Sequence, residues 1–395
     1  MSFDIALSGI NAVNAQLDTI SNNIANSGTY GFKASRVNFS STYAGTQSTG
    51  AEPGSMTQSI DLGGSVLTTG RDMDVSIQGR GFFVSRDSTG STLYSRVGIF
   101  SNDKDGYVVD SVGRRVQGFA AVKDSDTLGA MGDLRVPTGQ IAAAASTAMR
   151  YVGNLSSDWT PPTVAPFDPA EPRSFNGSMV SVVYDSLGAQ HSVTQYFVKT
   201  GTNQVTVHYT SDGAAVPATN VLDFGPDGQL VSPTAPVAVA LPTPTGAEPF
   251  AVTMDYAGTT QFAGEATTSS NAANGYASGT LIGVQVNNDG QVMAKYSNGQ
   301  RQSVGTVAVA TFPDEGSLVA VSDTSWTASN ASGTALYFAP GTGMAGSLTG
   351  GSVEQSNVDI TAELVGLMSA QRNYQANAKV ISTENQMIQA LMQAV

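Results

Sequence analysis

Cysteine is absent from this chain of 395 residues, which excludes disulfides, thiolate nucleophiles and cysteine-ligated zinc. Histidine is nearly absent: His191 and His208 leave little for a histidine-rich metal centre. Basic residues are scarce as well. Eighteen Lys and Arg stand against 31 Asp and Glu, a net charge of −13, the opposite of the basic footprint that nucleic acids require. No run approaches about 18 consecutive apolar residues, so no membrane-inserted helix is expected. The first charge is Asp4 and the first basic residue Lys33, so the basic n-region of a cleavable signal peptide is not expected either. Charged residues make up only 12%, against roughly 25% in ordinary domains. Ser, Thr, Asn, Gln and 43 Gly must therefore keep the surface wet. Hydrophobic content of 41% suffices for real cores, and the length suggests roughly two to three domains.

What is present is concentrated first at the two ends. Phe3, Ala6, Ile10, Val13, Leu17, Ile20 and Ile24 recur at alternating spacings of three and four, an apolar heptad seam. Asn26-Ser27-Gly28 marks its helical stop. At the other end Ile360, Leu364, Leu367, Gln371, Tyr374, Ala378, Ile381, Asn385, Ile388, Met392 and Val395 repeat the same spacing. Asp359 and Glu363 suit the start of that helix. An isolated amphipathic helix is marginal in water, so the two seams are expected to pair as a coiled coil. Residues 1–30 carry only two charges, both Asp, and their outer face is Asn, Gln, Ser and Ala. Such a face suits contact with neighbouring chains or the wall of a neutral, water-filled channel.

Between the ends the pattern is β. Residues 31–70 are Gly, Ser and Thr rich and read as an extended linker with one or two short strands. From Met73 a period of two takes over, with turns at Asp87–Gly90, Asp103–Gly106 and Ser111–Gly113, a run of hairpins. Residues 150–280 differ: 12 of the 16 prolines fall between Pro161 and Pro249, and ten acidic residues against three basic ones give net −7. The first β type resumes at Leu281 and runs through turns at Asn288–Gly290 and Asn298–Gly299. The expected fold is therefore mainly β with terminal α-helices, in three nested bodies. These are 1–70 with 354–395 as a paired-helix domain, 71–149 with 281–353 as a middle β domain, and 150–280 as an outer acidic β domain.

No motif announces catalysis, a cofactor or a metal. Asn102–Gly106 lacks the further ligands of a calcium loop and reads as a hairpin turn. Gly79-Arg80-Gly81 precedes a strand rather than a phosphate-binding helix. His191 and His208 fall on predicted strands and read as exposed histidines. Asp72 and Asp74 read as an ordinary surface pair on one strand face rather than a glycosidase dyad.

Three stretches resemble the bacterial flagellar axial proteins, the rod and hook family. The first is Ser21-Asn22-Asn23-Ile24-Ala25-Asn26 with Thr29-Tyr30-Gly31-Phe32-Lys33. The second is Ile77–Phe83 with Tyr94–Phe100. The third is Ser356–Asp359, Glu363–Leu367 and Ala370-Gln371-Arg372-Asn373-Tyr374-Gln375-Ala376-Asn377-Ala378-Lys379. Length and the extra acidic body place the chain with the hook members rather than the shorter rod members. The resemblance implies a helical homopolymer: a curved, hollow tube joining rod to filament, a universal joint for torque and a conduit for export. It implies an extracellular place in the flagellum, reached without a cleavable signal peptide. Implied partners are other copies, the distal rod protein, the hook cap, the hook–filament junction protein and the export apparatus. A distal rod or other axial subunit remains an alternative, as does a secreted surface fibre or adhesin with a helical stalk.

Overall fold

The computed structural model describes residues 2–122, 125 and 127–394, so Val395, the last position of the predicted seam, lies outside it. The chain is mainly β and closed at both ends by helices, α1 (Ser2–Ala25) and α2 (Ile360–Ala394). The start of α2 is fixed by Asp359, whose Oδ1 accepts the backbone N–H of Thr361 at 2.9 Å and of Ala362 at 3.1 Å. This is an N-cap that satisfies donors no helical carbonyl can reach. α1 stops where Asn22 and Asn26 bond to each other and Ser27 Oγ donates to the Ile24 carbonyl.

The chain forms two compact units. The first takes everything up to Thr138, Gly283–Lys295 and everything from Arg301 onward; the second is Gly139–Ile282 with Tyr296–Gln300.

In the first unit, α1 and α2 pack together, and a long antiparallel hairpin lies along α1. Its strands are β1 (Ser35–Ala44) and β2 (Gln47–Gln58). The sequence reading of 31–70 as mostly linker is therefore corrected. β1 alternates Val37, Phe39 and Tyr43 with polar residues, but β2 is rich in Ser, Thr, Gly and Gln and broken by Pro53, so alternation reveals no partner for β1. Backbone pairing and contact with α1 hold them instead. Val75–Gln78 with Ser347–Gly350, and Val66–Thr68 with Ser352–Glu354, form two small antiparallel pairs, and the largest part of the unit is an antiparallel sheet. Strands Arg301–Val307, Arg115–Ala121, Phe82–Arg86, Thr92–Ser95, Ser325–Thr327 and Val319–Val321 lie side by side in that order. Its core is aromatic: Phe82 meets Trp326 at 5.5 Å, and Phe312 meets Tyr94 edge-on at 4.8 Å. Asp72 and Asp74 are not a surface pair. Asp74 is buried and accepts from Thr69, while Asp72 is exposed and pairs with Lys295 at 2.8 Å.

The second unit sets a five-stranded antiparallel meander (Gly177–Tyr184, Gln190–Gly201, Gln204–Ser211, Ala214–Phe224, Leu230–Ser232) against a four-stranded sheet. In the latter, Ala148–Asn154 and Ala251–Asp255 run parallel. The two share one core, which includes Tyr151, Phe197, Val207, Leu222 and Met254. Inside it Tyr256 donates to Gln195 Oε1 at 2.8 Å, and the Tyr209 and Tyr256 hydroxyls meet at 2.7 Å. The histidines are not free on the surface. His191 bridges Asp212 (2.7 Å) and Asp185 (3.3 Å), and His208 stacks on Phe167 with centroids 4.3 Å apart. The Asn102–Gly106 segment is a hairpin turn, closed by Asp103 Oδ1 accepting from the Asp105 and Tyr107 amides.

Candidate functional site

Among the described residues no cluster of His, Asp and Glu could hold a metal. The constellation that stands out is instead the helix pair and the junction beneath it.

The two helices are antiparallel. Asn23 donates to Glu363 Oε1 at 2.8 Å. Further along, Ile20 lies over Gly366, and Gly9 lies against Asn377. Each step forward on α1 is a step back on α2. Val13 and Ile20 form a small apolar cluster with Ala370, flanked by Leu17, Ile24 and Leu367. A Cβ on Gly9 would stand 2.7 Å from Asn377 Nδ2, so the helices approach through small residues rather than through interlocked large ones.

This differs in detail from the predicted seam. On α1, Ala6, Val13 and Ile20 are buried, Ile10, Leu17 and Ile24 are half-buried, and Phe3 is exposed. On α2 the row against α1 runs through Glu363, Gly366, Ala370 and Asn377. Ala370, which the heptad reading passes over, is fully buried. Leu367, Ala378 and Ile381 are half-buried on its flank. Ile360, Leu364, Tyr374 and Ile388 are exposed, Leu364 by 48%. Large apolar residues at heptad spacing drew the reading toward one side of the true contact row. A Gly-Ala-Asn row carries little hydrophobic signal.

The motif residues explain themselves at the junction. Asn23 is buried and makes a two-way bond with Ser35, accepting its N–H at 2.9 Å and donating to its carbonyl at 2.8 Å. It thus fastens α1 to β1 and, through Glu363, to α2. Gly31 sits at φ +67, and a Cβ there would press on the Val97 side chain at 3.0 Å and on the Arg96–Val97 backbone at 3.1 Å. Only glycine takes that conformation freely at so close an approach. Lys33 is buried; its Nζ reaches Glu354 Oε1 at 2.6 Å and the Leu62 carbonyl at 2.7 Å. Arg96, equally buried, pairs with Glu354 Oε2 at 3.4 Å, donates to the Gly79 carbonyl at 2.8 Å and lies over the Phe82 ring. Burial pulls both the Lys33 ammonium and the Arg96 guanidinium below their usual pKa, against the opposing pull of the Glu354 carboxylate. Asn357 closes the junction, accepting from Ala34 N–H at 2.7 Å and donating to the Ser59 and Leu62 carbonyls. Of the remaining motif residues, Asn22 and Ala25 are exposed, and Asn26 and Phe32 are half-buried. Gln371, Arg372 and Gln375 are exposed on α2, while Asn377 is half-buried against Gly9. Glu354 was not singled out by the sequence, because one glutamate in a short strand looks like any surface charge.

Nothing in this arrangement positions a nucleophile or a general acid. It fastens two terminal helices to a β body and leaves apolar helix surface uncovered. Residues 3–33 match the family described as "Flagella basal body rod protein", and residues 349–394 match "Flagellar basal body rod FlgEFG protein C-terminal". Residues 76–152 match "Flagellar hook protein FlgE/F/G D1 domain", and residues 154–276 match "Flagellar basal body protein FlaE D2 domain". The chain is 38% identical over 400 residues to the flagellar hook protein FlgE of Escherichia coli K12, covering 99% of each. It is 33% identical to that of Brucella suis over 98% of the chain and 96% of the relative, and 32% identical to that of Treponema pallidum over 98% and 97%. The solved hook protein FlgE2 of Helicobacter pylori shares the fold, with a TM-score of 0.52, 12% identity, and coverage of 73% of this chain and 99% of that one. Full-length identity to relatives so named, with both ends and both β regions matched in order, places the chain in the flagellar hook protein FlgE family, whose members are structural subunits of the bacterial flagellar hook.

Proposed function

We propose that this chain polymerises helically into a curved, hollow tube that passes torque from rod to filament while bending, and that it has no catalytic role. The paired helices, 1–70 with 354–395, form the inner wall. The bodies 71–149 with 281–353 and 150–280 form successive outer layers. The single observation that carries this reading is apolar surface left uncovered on the helix pair. Ideal helical spacing puts Phe3, Ile10 and Leu17 of α1 on the same side of the pair as Ile360, Leu364, Leu367, Tyr374 and Ala378 of α2, away from the β1–β2 hairpin. No charged residue falls on that side. A neighbouring copy can cover it without desolvating charge.

The polymer works outside the cell. The distal rod protein meets one end, the hook cap and then the hook–filament junction protein the other, and the export apparatus delivers the subunits. Surfaces rich in Ser, Thr and Asn suit sliding, because many weak polar contacts exchange at small cost.

The test is Leu364→Asp, with Ile10→Asp as a second variant, examined by electron microscopy of assembled material. Monomers are expected to keep their β core, seen as an unchanged main thermal transition, and to form no tubes. Tubes like those of the unmodified chain would defeat the proposal.

A further inference from the structure

At one end of the five-stranded meander two hairpin turns meet over a single side chain. Asp185 opens the first turn, and its Oδ1 accepts the Leu187 and Ala189 amides at 2.9 and 2.8 Å. Asp212 opens the second, between Gln204–Ser211 and Ala214–Phe224. It sits at φ +51, a left-handed conformation that Asp tolerates better than most residues, and its Oδ1 accepts the Ser192 N–H at 2.8 Å. His191 stands between the two: Nδ1 is 2.7 Å from Asp212 Oδ2, and Nε2 is 3.3 Å from Asp185 Oδ2. The Asp185 turn also packs on the segments by which the chain enters and leaves the second unit. Those segments bridge each other at Ile141–Gly279 and Ala144–Tyr276. A Cβ on Gly188 would stand 2.7 Å from Ala143 Cβ and 3.4 Å from Ala277 Cα. Just before the turn, the Ser146 N–H donates to the Tyr184 carbonyl at 2.8 Å, and the Tyr184 N–H donates to Ser146 Oγ at 2.9 Å.

A carboxylate only accepts, so both contacts are hydrogen bonds only when both ring nitrogens carry hydrogen. A neutral ring has one N–H and turns a lone pair toward the other carboxylate. Exposure decides which contact survives. The Asp185 side chain is 3% exposed and the Asp212 side chain 52%. Water can replace the ring at Asp212 but not at Asp185, where an unmet acceptor is costly. We propose that His191 is a proton-operated latch: as the imidazolium it ties the Asp212 turn to the Asp185 turn and the segments packed on it, and as the neutral ring it keeps Asp185 through Nε2–H and releases Asp212. Asp212 and Asp185 are the charged groups acting on the ring. The neighbouring strand sets Val183 opposite His191, and its Tyr184 hydroxyl takes a bond from Gln190. The loop carrying Phe250, whose ring lies 6.3 Å away, also brings Glu248, which is exposed. Bonding to Asp212 first, and to Asp185 in addition, raises the His191 pKa. The latch is therefore closed below the ordinary histidine range and opens as pH rises through the raised value. It belongs to the single chain and does not depend on the polymer proposed above.

With only two histidines, a ¹⁵N-labelled full-length chain gives two sets of ring signals, and His208→Gln leaves those of His191 alone. Both His191 nitrogens are expected to be protonated at about pH 5, and Nε2 alone at about pH 9. The Ser192 and Gly213 amide signals should move through the same midpoint, while the Leu187 and Ala189 amides keep their protection from hydrogen exchange. Asp212→Asn retains an Oδ1 acceptor for Ser192 and suits the left-handed turn, so the fold is preserved. Its amide can donate to the bare Nδ1 of the neutral ring. The variant should therefore lower the His191 midpoint by about one pH unit and silence the Ser192 and Gly213 response. A neutral ring protonated at Nδ1, Ser192 and Gly213 amides that ignore the midpoint, or an unmoved midpoint in Asp212→Asn each overturns the latch.

Discussion

At the scale of single residues, the junction is governed by one carboxylate serving two buried cations. Glu354 accepts from Lys33 and from the Gly64 amide through Oε1, and meets Arg96 through Oε2. Removing one partner of a buried ion pair leaves the other desolvated and uncompensated. Glu354→Gln is therefore expected to destabilise the first unit by about 3 kcal/mol in denaturant unfolding. Lys33→Met is expected to recover part of that loss in the double variant, since it removes one of the stranded charges. Equal losses in single and double variants would show that the pair acts only through packing. The two histidines of the second unit make opposite predictions. Asp212, assisted by Asp185, holds His191 above the usual histidine pKa. Its contribution is fully present below that usual value and is lost as pH rises through the raised one. Burial lowers the His208 pKa. The stacked ring is therefore unpenalised above the usual value and loses stability as pH falls through the lowered one. His191→Gln should cost more melting temperature at about pH 6 than at about pH 9, and His208→Gln should flatten the loss on the acid side. An identical His191→Gln penalty at both pH values would count against the imidazolium bridge.

At the scale of elements, the helices were legible but their contact row was not. Periodicity finds helices because apolar residues must return every three or four positions, and both ends obey it. It cannot say which stripe is used at home and which faces a neighbour. The large residues Leu364 and Tyr374 dominate the pattern, yet Ala370 and Gly366 make the close approach. Ala370→Leu is therefore expected to force the helices apart, at a cost of about 1–3 kcal/mol. Limited proteolysis of the monomer should then trim both ends faster than in the unmodified chain, with the β core intact. Unchanged trimming would place the helix contact elsewhere. The β1–β2 hairpin was missed for a related reason: β1 does alternate, with Val37, Phe39 and Tyr43 on one face, but β2 is interrupted by Gly50, Pro53 and Gly54 and both strands bury little. Strands of the second unit such as Gln190–Gly201 and Gln204–Ser211 were readable because they set Val193 and Phe197, and Val205, Val207 and Tyr209, at alternate positions into a core. Ala214–Phe224 was not, because Ala, Pro, Thr and Asn dilute its alternation.

At the scale of the whole molecule, nested insertion separates two tasks. The first unit holds both helices, the hairpin and the Lys33–Glu354–Arg96 cluster, and its aromatic core draws on no residue between 139 and 282. The second unit has a core of its own, from Met149 to Tyr256. Replacing residues 139–282 by a short flexible linker should therefore leave the first unit folded, with its thermal transition preserved. If polymerisation runs through the helices, these shortened chains should still assemble. If the second unit supplies the outermost contacts that exchange on bending, the resulting tubes should differ from full-length ones in curvature and stiffness, measured directly on electron micrographs. Tubes of unaltered curvature would remove the second unit from the bending mechanism. A shortened chain that stays folded yet never polymerises would place essential assembly contacts in the β insert and overturn a helix-driven tube.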